Sequence, residues 1–149
     1  MKSNNNPHSI RHISKIKQHR FFKNNLALKS LAQPSLLGGI DIVHEHLEPQ
    51  TRLPNIYHKK SSEWVFCLKG KMTGIVNGRR HQLREGSILF LPPNTRHSFS
   101  TANKACEALS IFAPSFGFKR LAADVHIENI ARPQDKVKKV TRRRRERRK

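Results

Sequence analysis

Acidic residues are scarce. Ten Asp and Glu stand against thirty Lys and Arg in 149 residues, a formal net charge of +20. Long apolar runs are missing as well: a stretch such as Ser87-Ile-Leu-Phe-Leu91 falls far short of the roughly 20 residues a membrane helix needs. No apolar signal core follows the basic residues near the N-terminus, so the expectation is a soluble, cytoplasmic protein with no membrane span. There are only two cysteines, Cys67 and Cys106. Each lies inside an apolar run instead of a turn, which reads as a pair of buried, reduced thiols. No Walker-type glycine loop, GxGxxG or CxxC pair occurs, and no period of 20–50 residues repeats. Apolar residues make up 36% of the chain and mean hydropathy is −0.68, so either the core is small or much of the chain lies outside it.

The charge distribution separates these two cases. Residues 1–36 hold seven basic residues and no acid, and residues 136–149 hold ten basic residues against Glu146. The intervening 99 residues carry 13 basic and 9 acidic side chains, close to neutral. One ordinary domain with two basic extensions follows, divided as a basic N-terminal arm (1–36), a central domain (37–118), a C-terminal return segment (119–135) and a Lys/Arg-rich tail (136–149). In the arm, Ile10, Ile13 and Ile16 suit either a turn or two of amphipathic helix or a ragged edge strand. Phe21-Phe22 and Leu26–Leu31 form an apolar patch expected to pack on the outside of the central domain.

From Gly38-Gly39 onward the apolar pattern has period two. Ile40–Leu47, Glu63–Lys69, Met72–Val76, Arg80–Leu83, Ser87–Leu91, Arg96–Ser100 and Ala108–Ala113 read as strands. Asn77-Gly78 is a two-residue hairpin signal, since both positions of a type I′ turn need positive φ. Lys69-Gly70-Lys71, Glu85-Gly86 and Pro92-Pro93-Asn94 mark further turns. Leu121–Val125 suits a short helix and Ile127–Ala131 a return strand. Many short strands at close spacing with little helix imply an all-β antiparallel sandwich or small barrel.

In Glu63-Trp-Val-Phe-Cys-Leu-Lys69, alternation puts Glu63, Val65 and Cys67 on one face and Trp64, Phe66 and Leu68 on the other. Both faces are apolar, so each is expected to be covered: one by the barrel interior, the other by the arm or a second subunit. An acid at the start of such a strand needs a metal ion or a basic partner, because burying a lone carboxylate is costly.

Two segments resemble the cupin family. His58-x4-Glu63-x6-Gly70 matches the second half of its first motif, and Gly86-x5-Pro92-x-Asn94-x2-His97-x3-Thr101 matches its second, with Asn94 in place of a glycine and Thr101 in place of an asparagine. The resemblance covers about residues 38–116. It implies a cupin-like double-stranded antiparallel β-barrel (a jelly roll), often homodimeric. It also implies one divalent transition metal (Fe, Mn, Ni or Zn) held by His58, Glu63 and His97. The family's remaining histidine is replaced here by Ile56, and its leading glycine is absent from Gln50–Leu53. Ile56, Val65 and Cys67 would line the ligand pocket. The alternative is a metal-free pocket in which His58 and His97 hydrogen-bond Glu63 or an organic ligand directly. His44-Glu45-His46 puts two imidazoles on one face of its strand, read as surface or pocket rim.

The implied function is a cupin binding a divalent metal and a small organic ligand inside the barrel. The family hosts dioxygenases, isomerases and lyases, so the resemblance leaves the reaction open. The alternative is a non-catalytic sensor or binder, like the ligand-sensing half of bacterial transcription regulators that join a helix-turn-helix to a cupin. The tail cannot fold alone at its charge density. Its Arg142, Arg143, Arg144, Arg145, Arg147 and Arg148 are the candidate contacts to nucleic acid or another polyanion, and without interleaved aromatics they offer no base-stacking platform.

Overall fold

A computed structural model describes residues 10–32, 39–118 and 124–128. After a single 3-10 turn at Ile13–Lys15 come eleven strands: β1 (His19–Phe21), β2 (Leu26–Ala32), β3 (Asp41–Leu47), β4 (Ile56–Tyr57), β5 (Ser62–Lys69), β6 (Lys71–Val76), β7 (Arg79–Arg84), β8 (Ile88–Leu91), β9 (His97–Ser100), β10 (Cys106–Ala113) and β11 (His126–Ile127). They form a six-stranded sheet in the order β1-β2-β3-β10-β5-β8 and a five-stranded sheet in the order β11-β4-β9-β6-β7. Every pairing is antiparallel. Consecutive strands repeatedly switch sheets, so the two layers close over one core as a double-stranded jelly-roll barrel.

The inward residues of both sheets build that core. Val43 and Leu47 of β3, Val65 of β5, Cys106 of β10 and Leu91 of β8 are buried from one side, Met72, Leu83 and Phe99 from the other. The turns follow their chemistry. Asn77 and Gly78 take φ of 47° and 80° between the paired Val76 and Arg79, the type I′ geometry. At the β5–β6 turn Gly70 has φ of 81° and a Cβ there would sit 2.5 Å from the Ala105 carbonyl oxygen, so no other residue fits without a shift. Asn94 adopts φ of 62°. Asparagine tolerates this left-handed conformation better than other non-glycine residues, which explains how it replaces the motif glycine. Thr101, in place of the motif asparagine, accepts a hydrogen bond from the Thr51 N–H at 3.0 Å and donates to the Glu48 carbonyl at 2.6 Å.

Two expectations require correction. The apolar part of the N-terminal arm does not pack on the barrel's outside. β2 pairs with β3 and β1 with β2, which extends the larger sheet and directs Leu26 and Leu28 into the core. The described part of the arm does not cover the outer face of β5 either: β1 and β2 lie at the opposite edge of the sheet from β8, and Leu68, Ile88 and Phe90 stay exposed. Beyond β10, β11 pairs with β4. The remainder of the expected helix and return strand, and the whole Arg142–Arg148 tail, lie outside the described residues. No helix among the described residues is long and apolar enough to cross a membrane.

Candidate metal centre and cavity

β5 runs as its alternation requires, with Glu63, Val65 and Cys67 buried and Trp64 and Phe66 turned outward. Glu63 therefore begins the strand inside the barrel. His58 follows the short β4, and His97 opens β9, whose register sets it opposite Ile56. All three side chains are buried, and each offers a ligand atom within 4.8 Å of the others. Glu63 Oε2 is 3.3 Å from His58 Nε2 and 3.4 Å from His97 Nε2.

The outer nitrogens explain that arrangement. His58 Nδ1 lies 2.8 Å from the Asp124 carbonyl and His97 Nδ1 2.8 Å from the Thr95 carbonyl. A carbonyl only accepts, so both Nδ1 atoms carry the hydrogen and a neutral ring leaves its Nε2 lone pair pointing at Glu63. Backbone-oriented imidazoles of this kind are how proteins aim histidines at a metal. His58 Nε2 and Glu63 Oε2 are buried without a hydrogen-bond partner, a costly state that a cation between them would relieve. The donor set of two nitrogens and one carboxylate oxygen fits a divalent transition metal. Burial alone would raise the Glu63 carboxyl, but the two imidazoles outweigh it and hold it down to about 2. Burial would likewise lower His58, and Glu63 reverses this, leaving it above its ordinary value.

A residue whose role the sequence did not disclose shares this interior. On β3 the inward positions are Asp41, Val43, Glu45 and Leu47, while Ile42, His44 and His46 face out. Glu45 lines the cavity beside the three candidate ligands. Burial first, then the charge of Glu63, pushes its carboxyl up to about 8. Two carboxylates in one interior thus have acidities driven far apart, the arrangement that separates proton-holding from charge-holding roles. His44 and His46 sit on the surface, within 3.7 and 3.8 Å of Glu107, and take no part in the site. The signal that could have placed Glu45 inside was its shared parity with Val43 and Leu47.

Asp124 also escaped notice in the sequence. Its carboxylate accepts from the N–H groups of Lys59, Lys60 and Ser61, which hold it below its ordinary value although burial works the other way. Through this clamp the return segment fixes the loop that carries His58. Asp41 does the same for the opposite wall. It accepts from the Ser115 hydroxyl and from the Phe116 N–H, and Phe116 stacks on Phe112 with ring centroids 4.0 Å apart. His58 meets both rings edge-on.

The cavity next to the triad has a volume of about 260 Å³. Ile56 lines it, as its place two residues before His58 requires. Val65 and Cys67 do not. They lie further along β5, past the cavity floor, packed in the core. Cys67 and Cys106 are free thiols with sulfurs 3.8 Å apart. Phe21, Phe22, Leu26 and Leu28 of the N-terminal hairpin supply one wall. Phe22 reaches it from φ of 51°, an uncommon conformation for a bulky side chain.

The cupin family model matches residues 43–112, the span that holds Glu45, His58, Glu63 and His97. Residues 43–112 are a cupin domain. It is similar to quercetin 2,3-dioxygenase of Bacillus subtilis, 29% identical over 83 residues, which is 56% of this chain but only 25% of that enzyme. Among solved structures the cupin superposes on the polyketide cyclase RemF of Streptomyces resistomycificus with a TM-score of 0.65 at 15% identity, over 84% of this chain and 88% of that one. It also superposes on a predicted oxalate decarboxylase of Thermotoga maritima with a TM-score of 0.64 at 17% identity, over 70% and 97%. At these identities the likeness is one of fold.

Glu45 gives this cupin a testable pH signature. A group whose folded value is raised to about 8 from 4.5 keeps its proton in the fold while the unfolded chain releases it. Its stabilising contribution is complete below the unfolded value and is lost as pH rises toward 8. In metal-free protein, Glu45→Gln is expected to raise Tm at pH 8 relative to wild type by on the order of 5 °C, with a smaller difference at pH 5. Parallel pH profiles in thermal melts would contradict this assignment.

Proposed function

We propose that this cupin holds one divalent metal on His58, Glu63 and His97 and binds a small organic molecule in the adjoining cavity. The observation that carries the reading is the convergence of three buried ligand atoms, two of them without any other partner, on imidazoles whose Nδ1 hydrogens are already committed to backbone carbonyls. When bound, such a metal with open coordination positions supplies Lewis-acid polarisation of a ligand oxygen. The chain's own residues do the remainder. Phe112 and Phe116 exclude water from His58, Asp124 and Thr95 hold the two rings in orientation, and Glu45 keeps a proton available at the cavity wall. Fe, Mn, Ni and Zn all accept this donor set. A dioxygenase, isomerase or lyase activity is compatible with it.

The test is elemental analysis of purified full-length protein together with an unbiased mass-spectrometric search for co-purified small molecules. Stoichiometric metal is the expected result. Metal-free protein that does not load on incubation with any of the four ions would refute the site. A non-catalytic sensor or binder is the second reading, favoured by Ile56: it removes one ligand of the family's usual set and puts an apolar side chain on the cavity wall. A bound metabolite recovered unchanged from metal-free protein would decide for it.

The protein is further proposed to be a homodimer joined through the outer face of β5 and β8. Trp64 and Phe90 pack at 4.7 Å between centroids, while Phe90, Ile88 and Leu68 are 49%, 65% and 44% exposed. Covering each large side chain stabilises by roughly 2 kcal/mol. Trp64→Glu is expected to convert a dimer into a folded monomer in sedimentation velocity. Wild-type protein that sediments as a monomer at high micromolar concentration would end the dimer proposal.

A further inference from the structure

The cavity walls restrict what the site can take. Of the eight phenylalanines in the chain, Phe21, Phe22, Phe99, Phe112 and Phe116 line it, and aliphatic side chains fill most of the rest. Among the described residues no lysine or arginine lines it, although the chain has thirty of them. The nearby cations are engaged or turned away: Arg96 lies over the Tyr57 ring at 4.0 Å and within 4.0 Å of Glu128, and Lys59 and Lys60 are exposed. Among the described residues, positive charge is available to the cavity only at the end formed by His58, Glu63 and His97. The other ionisable group on the wall is Glu45. Ionised, it repels an anion; protonated, it donates one hydrogen bond. In neither state does it provide a counter-charge.

On the reading that this cavity is the ligand site, we propose that its ligand is an uncharged, largely apolar molecule of about bicyclic aromatic size, carrying its one polar group toward His58, Glu63 and His97. Ligands that would set an ionised group against this wall, away from that end, are excluded. Size follows from the volume. An apolar cavity of about 150 Å³ holds benzene, so 260 Å³ leaves room for a second fused ring. Shape follows from the walls, where the stacked Phe112–Phe116 pair and the Phe99 ring present aromatic surface to a flat partner. Charge selection follows from desolvation. An ionised group set against this wall would lose its water and gain no partner.

The test compares 2-naphthol with 2-naphthyl phosphate, the same bicycle with and without a dianion, by isothermal titration of the full chain at pH 7. Chelator-treated and Mn(II)-loaded protein are titrated in parallel. 2-Naphthol is expected to bind at least about tenfold more tightly than the phosphate in the chelator-treated form, where no cation offsets the phosphate's charge. Ile127→Lys puts a cation at the half-exposed rim of the cavity, outside the candidate ligand set. It should narrow the ratio of the two affinities by about tenfold in favour of the phosphate. Equal affinities in chelator-treated wild type, no binding of 2-naphthol at millimolar concentration, or an affinity ratio unmoved by Ile127→Lys would each overturn the proposal. Manganese content of the same samples separates the two readings. Protein that fails to load metal but prefers 2-naphthol defeats the metal site alone, and protein that loads metal but shows no such preference in its chelator-treated form defeats the ligand class alone.

Discussion

Replacing His97 by alanine is expected to abolish stoichiometric metal binding while the far-ultraviolet circular dichroism of the β-barrel stays unchanged. The candidate site has three protein ligands, so losing one leaves two and no stable chelate. The loss should exceed the roughly 10–100-fold that removal of an outer hydrogen-bond partner costs a metal site. His97 lies at the start of β9, and the ladder that β9 forms with β6 uses backbone groups that the substitution leaves in place. Equal metal content in wild type and variant, measured by elemental analysis after gel filtration, would refute the site. The converse substitution guards against a variant that merely misfolds. Ile56 faces the same cavity as His58 and pairs with His97 across β4 and β9, so Ile56→His adds a third imidazole and a fourth ligand from the right side and should tighten metal binding at least about tenfold. An unchanged affinity would mean that position 56 cannot reach the ion.

Deleting residues 136–149 is expected to remove most retention on heparin and most non-specific DNA shift, with metal content unaffected. Those residues carry ten of the thirty basic side chains and one acid. Binding through such a segment releases condensed counterions, so affinity falls steeply with salt. A chain that neutralises 6–10 phosphates loses about 10³–10⁵-fold between 50 and 200 mM salt. The seven basic residues of the first 36 and the exposed Arg79, Arg80 and Arg84 of β7 account for weak residual binding. A truncated protein with full DNA affinity, or a wild-type affinity indifferent to salt, would leave the tail as a solvated extension.

Much of the barrel was legible in the chain because its strands are marked by local rules. Asn77-Gly78 announces a type I′ hairpin, and the alternation in β5 assigns Glu63 and Trp64 to opposite faces without any knowledge of the partner strands. The spacing from His58 to Glu63 and from Gly86 to His97 likewise carries the candidate ligands, since motif spacing reflects where turns return the chain to one place. Strand β3 was harder to read. Its outward face carries Ile42 between histidines and its inward face carries Asp41 and Glu45, so polarity alone assigns the wrong side. Val43 and Leu47 mark the inward parity, but the two acids and Ile42 obscure it, and the pairing of β3 with β10 and β2 settles it.

What the amino-acid sequence determined by itself is therefore the short-range part: strand positions, hairpin turns, the inward register of β5 and the order of the candidate ligands. Tertiary structure alone decided that Phe21, Phe22, Leu26 and Leu28 form a wall of the cavity and that Asp124 orients His58 from 66 residues away. It also decided that Val65 and Cys67 lie beyond the cavity floor. The physical reason is range. Periodicity and turn chemistry act over a few residues and leave their mark in the local sequence. Cavity walls and backbone clamps depend on how distant strands are ordered within a sheet, and that order follows from the burial of the whole apolar surface at once.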